Sequence, residues 1–474
     1  MQISDKLNIS KGLFSDYGKY FEKSITTRRF KHKQIASLLA LFSENSKISL
    51  GVAGHSILGR EIFTVKIGKG KKKVLLWSQM HGNEPTATAA IMDIFNFFIA
   101  DDQFNKVREA LLDELTLYFV PMLNPDGAER FIRYNAIGID INRDAIEAIS
   151  PEARVLKTLH ANIQPDFAFN LHDQDVHYRA GLTENPAIIS FLSPSYDVAK
   201  NVNTPRTNAL KVISSMINGL NPFAQGCIAK YNDDFNPKCF GDYFQRTGTS
   251  TILIESGGHY GDIDRKFARK LNFVGILMGL LSIADISYEK ENIETYNQLP
   301  FNDKNYFDLI IRNIYVVKNG KRFPVQIAIN RTEFNIEDKF NNRYFHGSTI
   351  EQIGDLKGLG AYEDIDGEDM TAIPGKVFPE IYRDINRLKD LDAGIILGFM
   401  ELGFTTLRLK RLPWGRDFSS LPINLIQSSE SIRNTIRIGD NPNFILTRKG
   451  KVMAAVVNGY YYELNEIRKN LKNL

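Results

Sequence analysis

Four short apolar runs, each cut off by polar residues, constrain this chain more than any other feature. They are KVLLWSQ (Lys73 to Gln79), LTLYFVPML (Leu115 to Leu123), DFAFNL (Asp166 to Leu171) and STILIES (Ser250 to Ser256). Rich in β-branched and aromatic residues, they read as strands covered on both faces, the pattern of a mostly parallel sheet. Helical stretches lie between them. Pro85 to Ala100 opens with proline in its first turn, and Ser150 to Ile163 begins Ser-Pro-Glu. Thr204 to Leu220 and Asp264 to Ile283 have helical apolar spacing. Strands alternating with helices predict an α/β domain over residues 1–288, a mostly parallel mixed sheet with helices on both faces.

A chain of 474 residues exceeds one ordinary core, so a second domain is expected. The polar, proline-containing segment Ser287 to Asp303 is the expected linker. Beyond it, residues 301–474 read as a smaller β-rich accessory domain. Asp308 to Asn330 spells strand, Asn-Gly turn, strand, and Asn443 to Leu464 a further hairpin series, with some helix between Pro379 and Arg387.

A net charge of +4 is small for this length and gives no support to nucleic-acid binding; the run KGKKKV (Lys69 to Val74) reads as a solvated turn. No segment has the uninterrupted apolar length of a membrane span, and the N-terminus lacks the apolar core of a signal peptide. Cys227 and Cys239 are the only cysteines, too few for a disulfide framework. A soluble cytoplasmic protein with reduced thiols is expected; a secreted form that has lost its leader is the alternative. The acidic stretch YEDIDGED (Tyr362 to Asp369) lacks the ligand spacing of a calcium loop and reads as an acidic turn.

The chemistry collects where the four runs end, because loops at the carboxyl ends of strands build the site of an open α/β sheet. The first delivers His81 and Glu84, the second the Arg-rich loop Asn124 to Asp144, the third His172, and the fourth Glu255. A His and a Glu three residues apart occur often by chance; two histidines and two carboxylates converging on one sheet edge do not. Two neutral imidazoles and one carboxylate make the three-ligand set of a catalytic zinc, which acidifies a bound water. Glu255, left over, is the candidate general base.

Taken in order, HxxE, NPDG, GIDINRD, a distant strand-end His and IES resemble the zinc carboxypeptidases of the carboxypeptidase A type. The resemblance spans roughly Thr26 to Ile283 and includes GHSILGREI (Gly54 to Ile62). It implies that His81, Glu84 and His172 hold Zn2+ and that Glu255 activates the water. Arg133 matches the arginine that polarises the scissile carbonyl, Asn142 and Arg143 the pair that holds the substrate's terminal carboxylate. Asp140 matches the carboxylate that orients the first zinc histidine. The family's mobile tyrosine corresponds to Tyr231, with Tyr243 as competitor. Asn83 stands where the animal digestive enzymes have an arginine, and His259 has no role beyond lining the cleft. Asp242, near the expected side-chain pocket, would favour a basic residue.

The resulting expectation is a zinc metallocarboxypeptidase acting on peptides with a free carboxylate. The alternative keeps the zinc and changes the substrate to an N-acyl amino acid or cell-wall peptide, since HGNE also occurs in the aspartoacylase and succinylglutamate desuccinylase group. A non-catalytic binding module is disfavoured because ligands and base are both present. No nucleic-acid or membrane partner is expected, and the sequence does not report an oligomeric state.

Overall fold

The four expected strands form the centre of a single sheet. The computed structural model describes residues 3–336, 343–384, 388, 391–412, 422–430 and 435–472. The chain divides into two compact units, Met1–Gly181 with Asn185–Lys304, and Leu182–Glu184 with Asn305–Leu474. In the first unit the strands are β1 (Ile48–His55), β2 (Glu61–Ile67), β3 (Lys72–Ser78), β4 (Leu115–Val120), β5 (Phe167–Asp173), β6 (Ile189–Leu192), β7 (Ile228–Lys230) and β8 (Ser250–Ser256). They lie in the order β1-β2-β4-β3-β5-β8-β6-β7. The contiguous set β4-β3-β5-β8 is parallel. The β1–β2, β2–β4 and β6–β8 pairings are antiparallel.

Alternation along the central strands explains why they read as apolar throughout. Val74, Leu76, Phe167, Phe169, Ile252 and Ile254 point into one buried cluster, with residues of the helices Thr86–Ile99, Thr204–Ala224 and Lys266–Ala284. Leu75, Trp77 and Ala168 point to the other face, against the helices Pro151–Ile163 and Phe240–Arg246. The Ser150 hydroxyl caps the first of these two helices by accepting the Ala153 N–H, as the Ser-Pro-Glu start implies.

Some expectations are overturned. Lys266–Ala284 is long and apolar enough by length and composition to cross a membrane, which the sequence reading missed. It is 89% buried inside the protein, where apolarity serves the core. The expected linker packs as part of the first unit: Tyr288 and Tyr296 are buried in its main cluster, and Asn302–Asp303 pairs with Arg179–Ala180. The outer strands β1, β2, β6 and β7, which flank the central four, were not anticipated, being short or only half-covered.

The second unit is built on an eight-stranded sheet. Asn319-Gly320, Lys449-Gly450 and Asn458-Gly459 close tight hairpins with positive φ at both residues, the conformation that the asparagine-glycine pairs signalled. A three-stranded parallel sheet with the helix Ala393–Glu401 completes it. Pro379–Tyr382 belongs to the strand Lys376–Tyr382 rather than to a helix, and this strand pairs in parallel with Phe404–Leu409; residues 385–387 lie outside the described residues. In the acidic stretch, Asp364 is taken by Arg312 and Asp366 by Asn313.

One buried ion pair fixes the helix that starts beside the site. Asp93, fully buried on Thr86–Ile99, receives Arg269 Nε at 2.7 Å and Nη2 at 2.5 Å. It also accepts the Tyr17 hydroxyl and the Glu22 N–H. Arg269→Met leaves this carboxylate without its cation, and removing one partner of such a pair costs about 3–5 kcal/mol. A denaturant titration is expected to show a lowered midpoint; an unchanged midpoint would contradict the structural role.

Candidate metal centre

His81 follows β3 by three residues and is 2% exposed. The chain then turns once, with the Glu84 N–H donating to the His81 carbonyl, and enters the helix at Thr86. His81 and Glu84 therefore share a turn rather than a helical face. His172 lies on β5, opposite Glu255 of β8 in the parallel register. His81 Nδ1 stands 2.7 Å from Glu84 Oε1, and His172 Nδ1 stands 2.8 Å from Glu84 Oε2. Ligand atoms of all three side chains lie within 4.8 Å of one another.

This donor set fits a zinc ion: two imidazoles and one carboxylate, all buried, with their ligand atoms gathered at one point. The second nitrogen of His81 is held by Asp140, with Nε2 3.2 Å from Oδ1, which fixes the ring orientation in the way common to metal-ligating histidines. Burial alone would raise the Glu84 carboxyl. The charges and hydrogen bonds of His81 and His172 outweigh it and hold Glu84 well below the ordinary carboxylate range.

The two motifs that frame the site lock into each other. A Cβ on Gly82 would fall 2.0 Å from the Gly127 carbonyl carbon, so only glycine lets these backbones meet. Asn124 Nδ2 donates to the Met80 carbonyl, while its Oδ1 accepts the Gly127 N–H. Asp126, 1% exposed, accepts from Arg60 at 2.6 Å, from the Ser56 hydroxyl and from the Leu58 N–H. The NPDG aspartate thus anchors the GHSILGREI loop and does not reach the centre itself.

Arg133 donates to Asp140 at 3.1 Å and to Glu84 at 3.4 Å, so its guanidinium lies against the triad. Asn142 Oδ1 accepts the Phe240 N–H at 2.9 Å. Arg143 is exposed and donates to the Asn142 carbonyl and to Cys239 Sγ. These residues, with Glu255 and Tyr231, line a cavity of about 450 Å³ that contains the triad. Burial pushes the Glu255 carboxyl well above the ordinary carboxylate range, and repulsion by Glu84 and Asp173 adds to the shift. Burial, then the charge of Glu255, raises the Tyr231 phenol.

Asp140 is not among the lining residues and acts through His81 and Arg133. Tyr243 does not line the cavity; it sits at the second core cluster with Lys157 Nζ 5.0 Å from its ring centre. His259 does not line it either, since its ring packs on Phe267. Sequence reading passed over Asn170, Gln174 and Tyr178, which do. Asn170 was accessible by alternation: it precedes His172 by two residues on one strand and so shares its face.

Residues 35–176 match the zinc carboxypeptidase family. The matched segment contains the whole triad, Arg133, Asp140, Asn142 and Arg143; Tyr231 and Glu255 lie beyond it. A protein of Trichophyton verrucosum named "Probable carboxypeptidase 2" is 31% identical over 136 residues, which cover 28% of this chain and 25% of that protein. "Carboxypeptidase 2" of Trichophyton tonsurans is 30% identical over 135 residues, 28% of this chain and 24% of its own length. The matched segment thus spans about a quarter of the length of these curated relatives. Among solved structures, a metallo-carboxypeptidase from Burkholderia cenocepacia is similar at 19% identity and a TM-score of 0.46, covering 54% of this chain and 70% of that one. The carboxypeptidase A of Helicoverpa armigera is similar at 14% identity and a TM-score of 0.44, over 61% and 82% of the two chains.

The geometry of the triad leads to a direct prediction about zinc binding. Asp140→Ala is expected to weaken zinc affinity by about 10–100-fold through loss of the His81 orientation, whereas His172→Ala abolishes stoichiometric binding. Competitive zinc titration reads both, and wild-type affinity in Asp140→Ala would contradict the orienting role.

Proposed function

We propose that the first unit is a zinc-dependent hydrolase that removes amino acids from the carboxyl end of peptides. The observation that carries this reading is the buried His81–Glu84–His172 triad with Glu255 beside it in the register of β5 and β8. His81, Glu84 and His172 would hold the ion. When bound, zinc supplies Lewis acidity and lowers the pKa of a coordinated water toward neutrality.

The chain's own groups do the remaining work. Glu255 takes a proton from the water as its oxygen adds to the scissile carbonyl carbon, and passes that proton to the amine nitrogen as the C–N bond breaks. A carboxyl with raised proton affinity is suited to both transfers. Arg133 carries a fixed positive charge at the triad's edge and donates hydrogen bonds to the oxygen that gains negative charge. Arg143 offers a planar fork to the substrate's terminal carboxylate, and the Asn142 amide lies beside it. Tyr231, partly buried on the cavity wall, closes over the bound residue.

Glu255→Gln is expected to retain zinc at wild-type stoichiometry and to lose turnover of a blocked dipeptide. Arg133→Ala is expected to lower kcat by about 10²–10³-fold, the usual effect of removing one oxyanion donor. Arg143→Ala should act mainly on KM and abolish discrimination between a free and an amidated C-terminus. Hydrolysis by metal-loaded Glu255→Gln at the wild-type rate would end the assignment. Turnover of N-acyl amino acids with none of peptides would move the substrate to the deacylase class.

A further inference from the structure

The pairing of three parallel strands continues the site one pleat deeper. Trp77 of β3, Asn170 of β5 and Leu253 of β8 are register partners in a row. They lie beneath the His172–Glu255 pair on the same face, because side chains two residues apart share a face. One pleat is about 6.6 Å along the strand. Asn170 is 1% exposed and lines the cavity, yet among the described residues neither Nδ2 nor Oδ1 has a hydrogen-bond partner. A buried amide of this kind is stable only if something completes its hydrogen bonds.

Its surroundings indicate what that is. Gly241 stands over the amide: a Cβ there would come 3.4 Å from Asn170 Nδ2 and 3.1 Å from Pro194 Cγ, so glycine leaves the space open. The next residue, Asp242, also lines the cavity and is 9% exposed. It accepts one N–H, from Asn236 at 3.0 Å, and among the described residues no ion pair reaches it. Burial pushes its carboxyl up to about 6, outweighing the downward pull of its hydrogen bonds and of the Arg143 and Arg206 charges. The floor therefore presents an amide and a carboxylate where an apolar side chain would find no partner for either.

We propose that Asn170, with Asp242, determines specificity: the cleft selects a terminal residue whose side chain ends in a hydrogen-bond donor, a carboxamide, ammonium or guanidinium. This rests on the carboxypeptidase reading above. With the scissile bond at the triad, a side chain of glutamine or lysine length reaches one pleat down, donates to Asn170 Oδ1 and Asp242, and in the case of a carboxamide accepts from Asn170 Nδ2. An apolar chain of equal length leaves the Asn170 amide desolvated and unpaired, and Asp242 desolvated with only the Asn236 N–H. Sites that hydrogen-bond a substrate group discriminate against analogues lacking it far more sharply than apolar pockets discriminate by size.

The test uses zinc-loaded full-length protein and two matched peptide pairs, ending in glutamine or methionine and in lysine or norleucine. The expected kcat/KM favours the polar member of each pair by at least about 10-fold. Asn170→Leu, similar in branching and length but without polar atoms, should reduce the glutamine-to-methionine ratio by about the same factor. Asn170→Asp keeps the shape and should raise the lysine-to-glutamine ratio; comparing ratios within one variant removes any general loss of activity. Equal rates for polar and apolar members in the wild type, or ratios unmoved in both variants, overturn the inference while leaving the carboxypeptidase reading intact. Release of no terminal residue from any of the four peptides sinks that reading and the inference with it.

Discussion

Glu84 is a buried carboxylate held between two imidazoles, and much of the first unit is arranged to keep it there. A carboxylate taken out of water needs compensating charge and hydrogen bonds. His81 and His172 face one oxygen each, the Asp173 N–H donates to Oε2, and Arg133 approaches Oε1. A divalent cation is the natural complement of such a cluster, because it attracts the carboxylate and needs the imidazole lone pairs. Burial raises the proton affinity of Glu255, two strands from β3, and the same negative charge of Glu84 adds to that rise.

The loops at the strand ends are rigid for reasons that lie partly away from the site. Gly82 and Gly127 allow two backbones to touch, Asn124 hydrogen-bonds across that contact, and Asp126 ties the adjoining loop with a buried ion pair to Arg60. Underneath, Arg269 and Asp93 join the helix Thr86–Ile99 to the helix Lys266–Ala284. The groups at the centre are fixed in place by the hydrogen bonds and glycine contacts around the ligands.

Much of the centre could be read without coordinates because its ligands sit immediately after apolar runs. Ser250–Ser256 is a strand over the very residues expected, and the other three central strands were located to within a few residues. Half-covered edge strands such as β1 escaped notice, since their burial alternates irregularly and no strong period marks them. The segment at Tyr288 and Tyr296 looked like a linker because its polar residues hide two aromatic anchors. Tyr178 and Gln174 were missed because only the fold brings the loop after β5 back over the cavity.

The sequence by itself determined the donor types, their order, and the strand ends from which they project, because strand period and metal-ligand chemistry are both local properties of residue type. Tertiary structure alone decided that His172 lies opposite Glu255, that Asp140 reaches back to His81, and that Asn170 lies on the cavity floor with no partner among the described residues. Those facts depend on which strands pair and in what register, and pairing between residues about a hundred positions apart is set by the packing of the whole unit rather than by any neighbourhood in the chain.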